Sequence, residues 1–141
     1  MILSDNKIKI YTLVCLAICA VCLLAYFNSL ANPFIWDDQA LVVKNTLIRS
    51  PQNLGQSFTN DLFFGETSSS NYYRPLQTVS YILDYYFWQL NPLGYHLSNI
   101  ILQIGVAFLF FLLAFNLLAS LPIAASAAIL FAASPMHTEV V

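Results

Sequence analysis

The sequence predicts an all-α membrane protein with about three transmembrane helices, and three observations carry that reading. Of the 141 residues, 59% are hydrophobic and 9% charged, against roughly 25% charged in an ordinary soluble domain, so little charge is left to solvate a globular surface. No charged residue occurs from Ile10 through Trp36, a run longer than the ~20 residues a spanning helix needs. None occurs from Tyr85 through Thr138 either, histidines aside; that stretch is too long for one span and is broken by turn residues.

Taken in order, residues 1–9 form a short tail carrying Lys7 and Lys9. Residues 10–31 read as the first transmembrane helix, with its apolar heart from Tyr11 to Leu30. That heart exceeds the ~7–15 residues of a cleaved signal's apolar region, which favours a retained anchor. Residues 32–94 read as a long outer loop, rich in Asn, Ser, Gln and Pro and carrying Asp37, Asp38, Lys44, Arg49, Asp61, Glu66, Arg74 and Asp84. Within it, about residues 75–90 show helical periodicity, opening on Pro75 as suits a first turn. Leu76, Val79, Ile82, Leu83, Tyr86, Phe87 and Leu90 make an apolar stripe, and Gln77, Ser80 and Asp84 lie opposite. With Tyr81, Tyr85, Tyr86 and Trp88 adding rings suited to the headgroup level, two readings stand: a helix lying in the membrane interface, or an amphipathic helix packed on protein.

Asn91-Pro92 and Gly94 mark a turn before the second transmembrane helix, residues 95–119. Asn116 and Ser120-Leu121-Pro122 mark the next break. The third transmembrane helix and the start of a second outer segment occupy residues 121–141, Ala-rich as close packing in membranes favours and interrupted by Pro135. The chain reads as the opening segment of a longer membrane protein.

Several function classes drop out. The net charge is −2 with no basic block, so nucleic-acid binding has no electrostatic footprint. No glycine-rich phosphate loop marks a nucleotide site. Cys15, Cys19 and Cys22 share one helical face, but no His or acid joins them as a zinc site requires, so they read as small apolar packing residues.

Orientation follows from basic density. Two lysines in the nine-residue tail, against three basic residues diluted through the long loop, place the N-terminus in the cytoplasm. Parity then puts residues 32–94 outside, the turn at 120–122 inside and Pro135 onward outside. Asp37, Asp38, Arg74, His96, His137 and Glu139 thereby share the outer side, where charges at a bilayer edge are costly and usually functional. Adjacent carboxylates such as Asp37-Asp38 serve proton transfer, hold a divalent metal or simply solvate a helix end. An arginine in the position of Arg74 either grips a phosphate or snorkels to lipid headgroups. His137-Thr138-Glu139 lacks the His-Glu-x-x-His pattern of a zinc protease.

Three stretches together resemble the amino-terminal part of the TMTC-type membrane O-mannosyltransferases and their bacterial relatives. They are Phe34-Ile35-Trp36-Asp37-Asp38 with Leu41-Val42-Val43 and Asn45; Tyr73-Arg74-Pro75-Leu76 through Ser80-Tyr81 and on from Trp88 to Asn99; and Pro135-Met136-His137-Thr138-Glu139-Val140. Ser134 replaces the His that the family usually carries before the proline. The resemblance implies a fragment of a GT-C glycosyltransferase, usually followed by tetratricopeptide repeats. Such enzymes move a sugar from a polyprenyl- or dolichyl-phosphate carrier to a protein or other acceptor on the outer or luminal face. It implies Asp37 or Asp38 as base or metal ligand, Arg74 and His137 on the lipid phosphate, and Glu139 for the acceptor or for structural support, a role His96 on the same outer side shares. It places the chain in a bacterial inner membrane, or in the endoplasmic reticulum of a eukaryote, and implies that the fragment alone lacks activity. A different class, a small non-enzymatic membrane assembly subunit, also fits three short spans. A transporter piece would need ionisable residues mid-span, whereas the charges here sit at span ends.

Overall fold

The computed structural model describes residues 5–60 and 72–134. The expected outer segment from Pro135, with His137 and Glu139, lies outside the described residues. Among the described residues there are four α-helices: α1 (Asp5–Tyr26), α2 (Pro75–Trp88), α3 (Pro92–Leu118) and α4 (Leu121–Ala132). Between α1 and α2 run a 3-10 turn at Phe27–Ala31, a π turn at Gln39–Val43, and 3-10 turns at Leu47–Arg49 and Pro51–Phe58. Among the described residues there is no strand. The chain divides into two compact units, Met1–Leu30 with Leu97–Val141, and Ala31–His96.

The first unit is built on apolar helices. Two stretches are long and apolar enough to cross a membrane, Ile8–Ala31 and Pro92–Leu118. At 1.5 Å per residue the 27 residues of the latter extend about 40 Å, enough for a hydrocarbon core of roughly 30 Å. Only 17% and 28% of their most apolar windows are buried, so most of their leucine and phenylalanine surface is uncovered. The 12 residues of α4 extend about 18 Å, which is short of a crossing over the part described.

The helices meet along one apolar seam, to which α4 contributes small residues. Ile18, Cys22 and Tyr26 of α1 are buried against Ala124, Ala128 and Ala132 of α4, and α3 adds Ala107, Phe111 and Ala114. The i, i+4 spacing of the α4 alanines lets backbones approach closely. Phe110 stacks on Phe131 at 4.7 Å between centroids, Tyr11 meets Phe115 edge-on at 5.8 Å, and the Tyr26 hydroxyl donates to the Ser134 carbonyl at 3.0 Å. The three cysteines are free thiols: Cys22 is buried in this seam and Cys15 and Cys19 are half-buried.

The second unit folds the loop onto α2. Leu41, Val42, Leu47 and Ile48 are buried with Ile82 and Tyr95, and Phe34, Tyr81, Tyr85 and Trp88 pack around them. Asn45 shapes the bend between the turns, its buried Oδ1 accepting from the Leu47 amide at 2.9 Å. Of the apolar stripe of α2, Ile82 is the one residue buried in the packed face. Thr78, Ile82 and Asp84 are buried, whereas Leu76, Leu83, Tyr86 and Phe87 are exposed. Asp84, grouped by periodicity with the polar side, is buried instead, because the packed face is the one carrying the tyrosines.

The link from α2 to α3 is tight. Gln89 adopts a left-handed backbone, φ 55°, and caps α2 through its amide on the Tyr85 carbonyl at 2.9 Å. A Cβ on Gly94 would overlap Cγ, Cδ2 and Cβ of Trp88, so the absence of a side chain there lets Trp88 lie against the start of α3. Gly94→Ala should therefore lower the thermal unfolding midpoint of the chain in detergent, at a cost of about 1–3 kcal/mol; Gly55→Ala, where a Cβ meets nothing within 4 Å, serves as the control and should leave it within error.

Candidate active site

The candidate carboxylates sit on a turn whose backbone is strained. Trp36, just before Asp37, has φ 48°, a region costing a non-glycine residue of order 1–3 kcal/mol, and its side chain is 90% exposed. The Asp38 amide donates to the Ile35 carbonyl at 2.9 Å, and Asp38 Oδ2 accepts from the Ile35 amide at 3.0 Å. Asp38 is thus half-buried and committed to holding the turn, while Asp37 is exposed. The π turn begins immediately after, with the Leu41 amide donating to the Asp37 carbonyl at 2.8 Å; single π turns are rare and frequent at functional sites.

Arg49 closes the far end of that turn. Its guanidinium donates to the carbonyls of Val42 and Val43 and lies over the Tyr85 ring, 4.4 Å from the centroid. Cation–π stacking and two charge-assisted hydrogen bonds therefore tie the carboxylate turn to α2. Nη1 of the same group is buried with no hydrogen-bond partner.

Tyr81 on α2 links two of the expected site residues. Arg74 Nη1 donates to Gln77 Oε1 at 3.5 Å, and Gln77 Nε2 donates to the Tyr81 hydroxyl at 2.8 Å. Burial pushes the Tyr81 phenol above its ordinary range; the negative charges of Asp38 and Asp84 push the same way, and the Gln77 hydrogen bond and the Arg74 charge oppose them. The Arg74 guanidinium is exposed, 5.5 Å from the Tyr72 ring centroid. His96, in the first turns of α3, has Nε2 at 3.2 Å from the Asn32 carbonyl oxygen, which fastens the start of the loop. Among the described residues no three His, Cys, Asp or Glu side chains gather into a metal-binding group, so the Asp37–Asp38 pair would offer a divalent cation two carboxylates at most, the complement with which Mg²⁺ is commonly held beside phosphate oxygens.

Arg49 and the burial of Asp84 were not singled out by sequence patterns, and Tyr81 was read only as an interfacial ring and as part of a family-like stretch. A lone arginine in a polar loop has no periodicity to mark it. The Gln77–Tyr81 pairing, at i and i+4, was available from helical spacing.

Comparison with known proteins bears on the whole segment. The chain is 34% identical over 132 residues to a protein O-mannosyl-transferase of Caenorhabditis elegans, covering 89% of this chain and 19% of that protein. It is 36% identical over 126 residues to protein O-mannosyl-transferase Tmtc1 of Drosophila melanogaster, covering 86% of the chain and 15% of the relative. It is 32% identical over 142 residues to protein O-mannosyl-transferase TMTC3 of Mus musculus, covering 99% and 15%. The chain therefore spans less than a fifth of the length of the curated relatives it matches. No protein-family model and no solved structure matches it.

The raised Tyr81 phenol gives a pH dependence with a defined sign. A raised folded-state pKa contributes stability that is complete below the ordinary tyrosine value of about 10 and is lost as pH rises through the higher folded value. Thermal melts taken at increasing alkaline pH should show the wild-type midpoint falling more steeply than that of Tyr81→Phe; parallel slopes would mean that Tyr81 titrates as an open phenol.

Proposed function

This chain belongs to the TMTC-type protein O-mannosyltransferase family as a segment of under a fifth of its relatives' length, and we propose that it supplies the first outer loop of a GT-C glycosyltransferase active site. In this reading the complete protein inserts in a membrane through spans such as Ile8–Ala31 and Pro92–Leu118. It transfers a sugar from a polyprenyl- or dolichyl-phosphate donor to a hydroxyl of a protein acceptor on the outer or luminal face.

The chemistry asks for a base on the acceptor and cations on the departing phosphate. The acceptor oxygen attacks the anomeric carbon, the bond from that carbon to the phosphate oxygen breaks, and the phosphate keeps the electron pair. The acceptor's proton passes to a carboxylate. Asp37 suits that last role because it is exposed and is presented by a turn that Asp38 fixes through the Ile35 amide. Arg74 and His137 are assigned to the phosphate, and His96 and Glu139 to positioning the loop or the acceptor. The single observation that best supports the reading is this strained, capped turn, which sets an open carboxylate on the same folded unit as Arg74.

The test uses the full-length protein in membranes, with transfer from a polyprenyl-phosphate sugar as readout. Asp37→Asn should cut transfer by about 10²–10⁴-fold, the usual contribution of a general base. Asp38→Asn should cost far less than Asp38→Ala, because an amide oxygen still accepts from Ile35. Undiminished transfer by Asp37→Asn would remove the base assignment.

A further inference from the structure

A hollow opens on the helical unit where the start of α1, the end of α3 and the start of α4 meet. Its volume is about 320 Å³, and Ile10, Tyr11, Phe115, Ala119 and Leu121 line it. The lining carries no charge. The hollow follows from the two-residue link between α3 and α4. Ala119 turns the chain there with a left-handed backbone, φ 50°, and its methyl group is too short to fill the space between the helix ends. Tyr11 meets Phe115 edge-on at 5.8 Å, which gives the hollow an aromatic wall. A volume of this size falls at the lower end of the range that holds small ligands.

The surroundings limit the occupant. Water has too few polar partners in an apolar hollow. The span that forms one wall exposes Leu13 and Leu16 beside it, 67% and 61%, so where that span crosses a bilayer the neighbouring medium is acyl chain. Charge then selects among lipids. The apolar run begins at Ile8, which sets the preceding turn at the headgroup level and the hollow just beneath it. Lys9 is exposed and adjoins Ile10. At 100° per residue, position 7 of α1, also a lysine, falls between positions 10 and 11 around the axis, one turn nearer the helix start. Position 5, an aspartate, falls on the other side by the same count, and the link between α3 and α4 carries no charge. A cationic mouth over an apolar hollow is the complement of a lipid with an anionic head, and each basic residue at a membrane surface favours such a lipid roughly fivefold.

Resting on the membrane reading given above, we propose that this hollow binds one acyl chain of an anionic phospholipid, whose phosphate is held by Lys7 and Lys9. The acyl chain lies against Tyr11 and Phe115, and the lipid joins the start of α1 to the link between α3 and α4. The start of α1 is the opposite end of the first span from the one that leads into the Asp37 turn, so this lipid is a structural ligand and not the sugar donor.

The chain's two tryptophans are Trp36 and Trp88, and a Trp36→Phe/Trp88→Phe background frees indole fluorescence as the probe. Ile10→Trp reports from one wall of the hollow, Leu121→Trp from the facing wall, and Leu13→Trp from open lipid at a similar depth. Each full chain is reconstituted in phosphatidylcholine vesicles holding a minor fraction of phosphatidylglycerol and recovered by flotation. When the phosphatidylglycerol carries brominated acyl chains, the indoles at 10 and 121 are expected to be quenched more strongly than the indole at 13. When the same minor fraction is brominated phosphatidylcholine, the three should be quenched alike. Adding Lys7→Gln/Lys9→Gln should abolish the excess, an effect of roughly fivefold in affinity for each lysine. Equal quenching at all three positions by brominated phosphatidylglycerol overturns the inference. So does an equal excess with brominated phosphatidylcholine, which makes the hollow a seat for any acyl chain, and so does an excess that survives the lysine substitutions. Indoles at 10 and 121 that neither brominated lipid reaches overturn it as well, because protein then fills the hollow. A chain that fails to float overturns the membrane reading and the inference with it.

Discussion

Leu41, Val42, Leu47 and Ile48 close on Ile82 and Tyr95, and the chemistry of the segment 31–96 depends on that closure. A polar loop between two apolar stretches has few ways to hold a shape. Its backbone is arranged in short 3-10 and π turns, none of which is stable alone, since helical nucleation is costly. What fixes them is one fully buried isoleucine on α2 meeting another from the loop, with Arg49 clamping the carbonyls at the end of the π turn and stacking on Tyr85. The carboxylate turn lies at the start of that same π turn, so the packing that stabilises the loop also fixes the direction of Asp37.

Division of labour on α2 follows from the same packing. The side facing the loop carries Thr78, Tyr81, Ile82, Asp84 and Tyr85, a mixed surface able to hydrogen-bond, stack and fill space. The side facing away is aliphatic and aromatic. An ordinary surface helix of a soluble domain has the reverse arrangement, with its apolar stripe on the core. On α2 the stripe meets the core through Ile82, and the electrostatic neighbours of Tyr81, namely Asp38, Asp84 and Arg74, belong to the same folded unit.

Hydrophobic runs and turn residues made the large elements legible in the sequence. Pro75, Pro92 and Pro122 each sit at the start of a helix, where a missing amide proton costs nothing, and charge-free stretches located α1 and α3. The stripe on α2 was legible as well, but not which side would be packed, because a periodicity shows that a helix has two faces and says nothing about the solvent each one meets. The π turn left no pattern, and the importance of Arg49 arises from carbonyls six and seven residues away. Asp37, Asp38 and Arg74 were visible through their place beside apolar runs and within motifs. That Asp38 is spent on the Ile35 amide, leaving Asp37 open, depends on the strained φ of Trp36, which no residue preference announces. The family likeness came from order and spacing of motifs over most of the chain, and sequence relatives at 32–36% identity agree with it.

The loop and α2 form one folded body held by Arg49. Amide hydrogen exchange of the chain in lipid vesicles tests this directly. The amides of Leu41, Lys44 and Arg49, which donate to Asp37, Gln39 and Thr46, should be protected together with those of α2, and Arg49→Ala should raise exchange from Gln39 to Arg49 while α1 and α3 are unchanged. Exchange of residues 39–49 at unprotected rates in the wild-type chain, beside a protected α2, would contradict it.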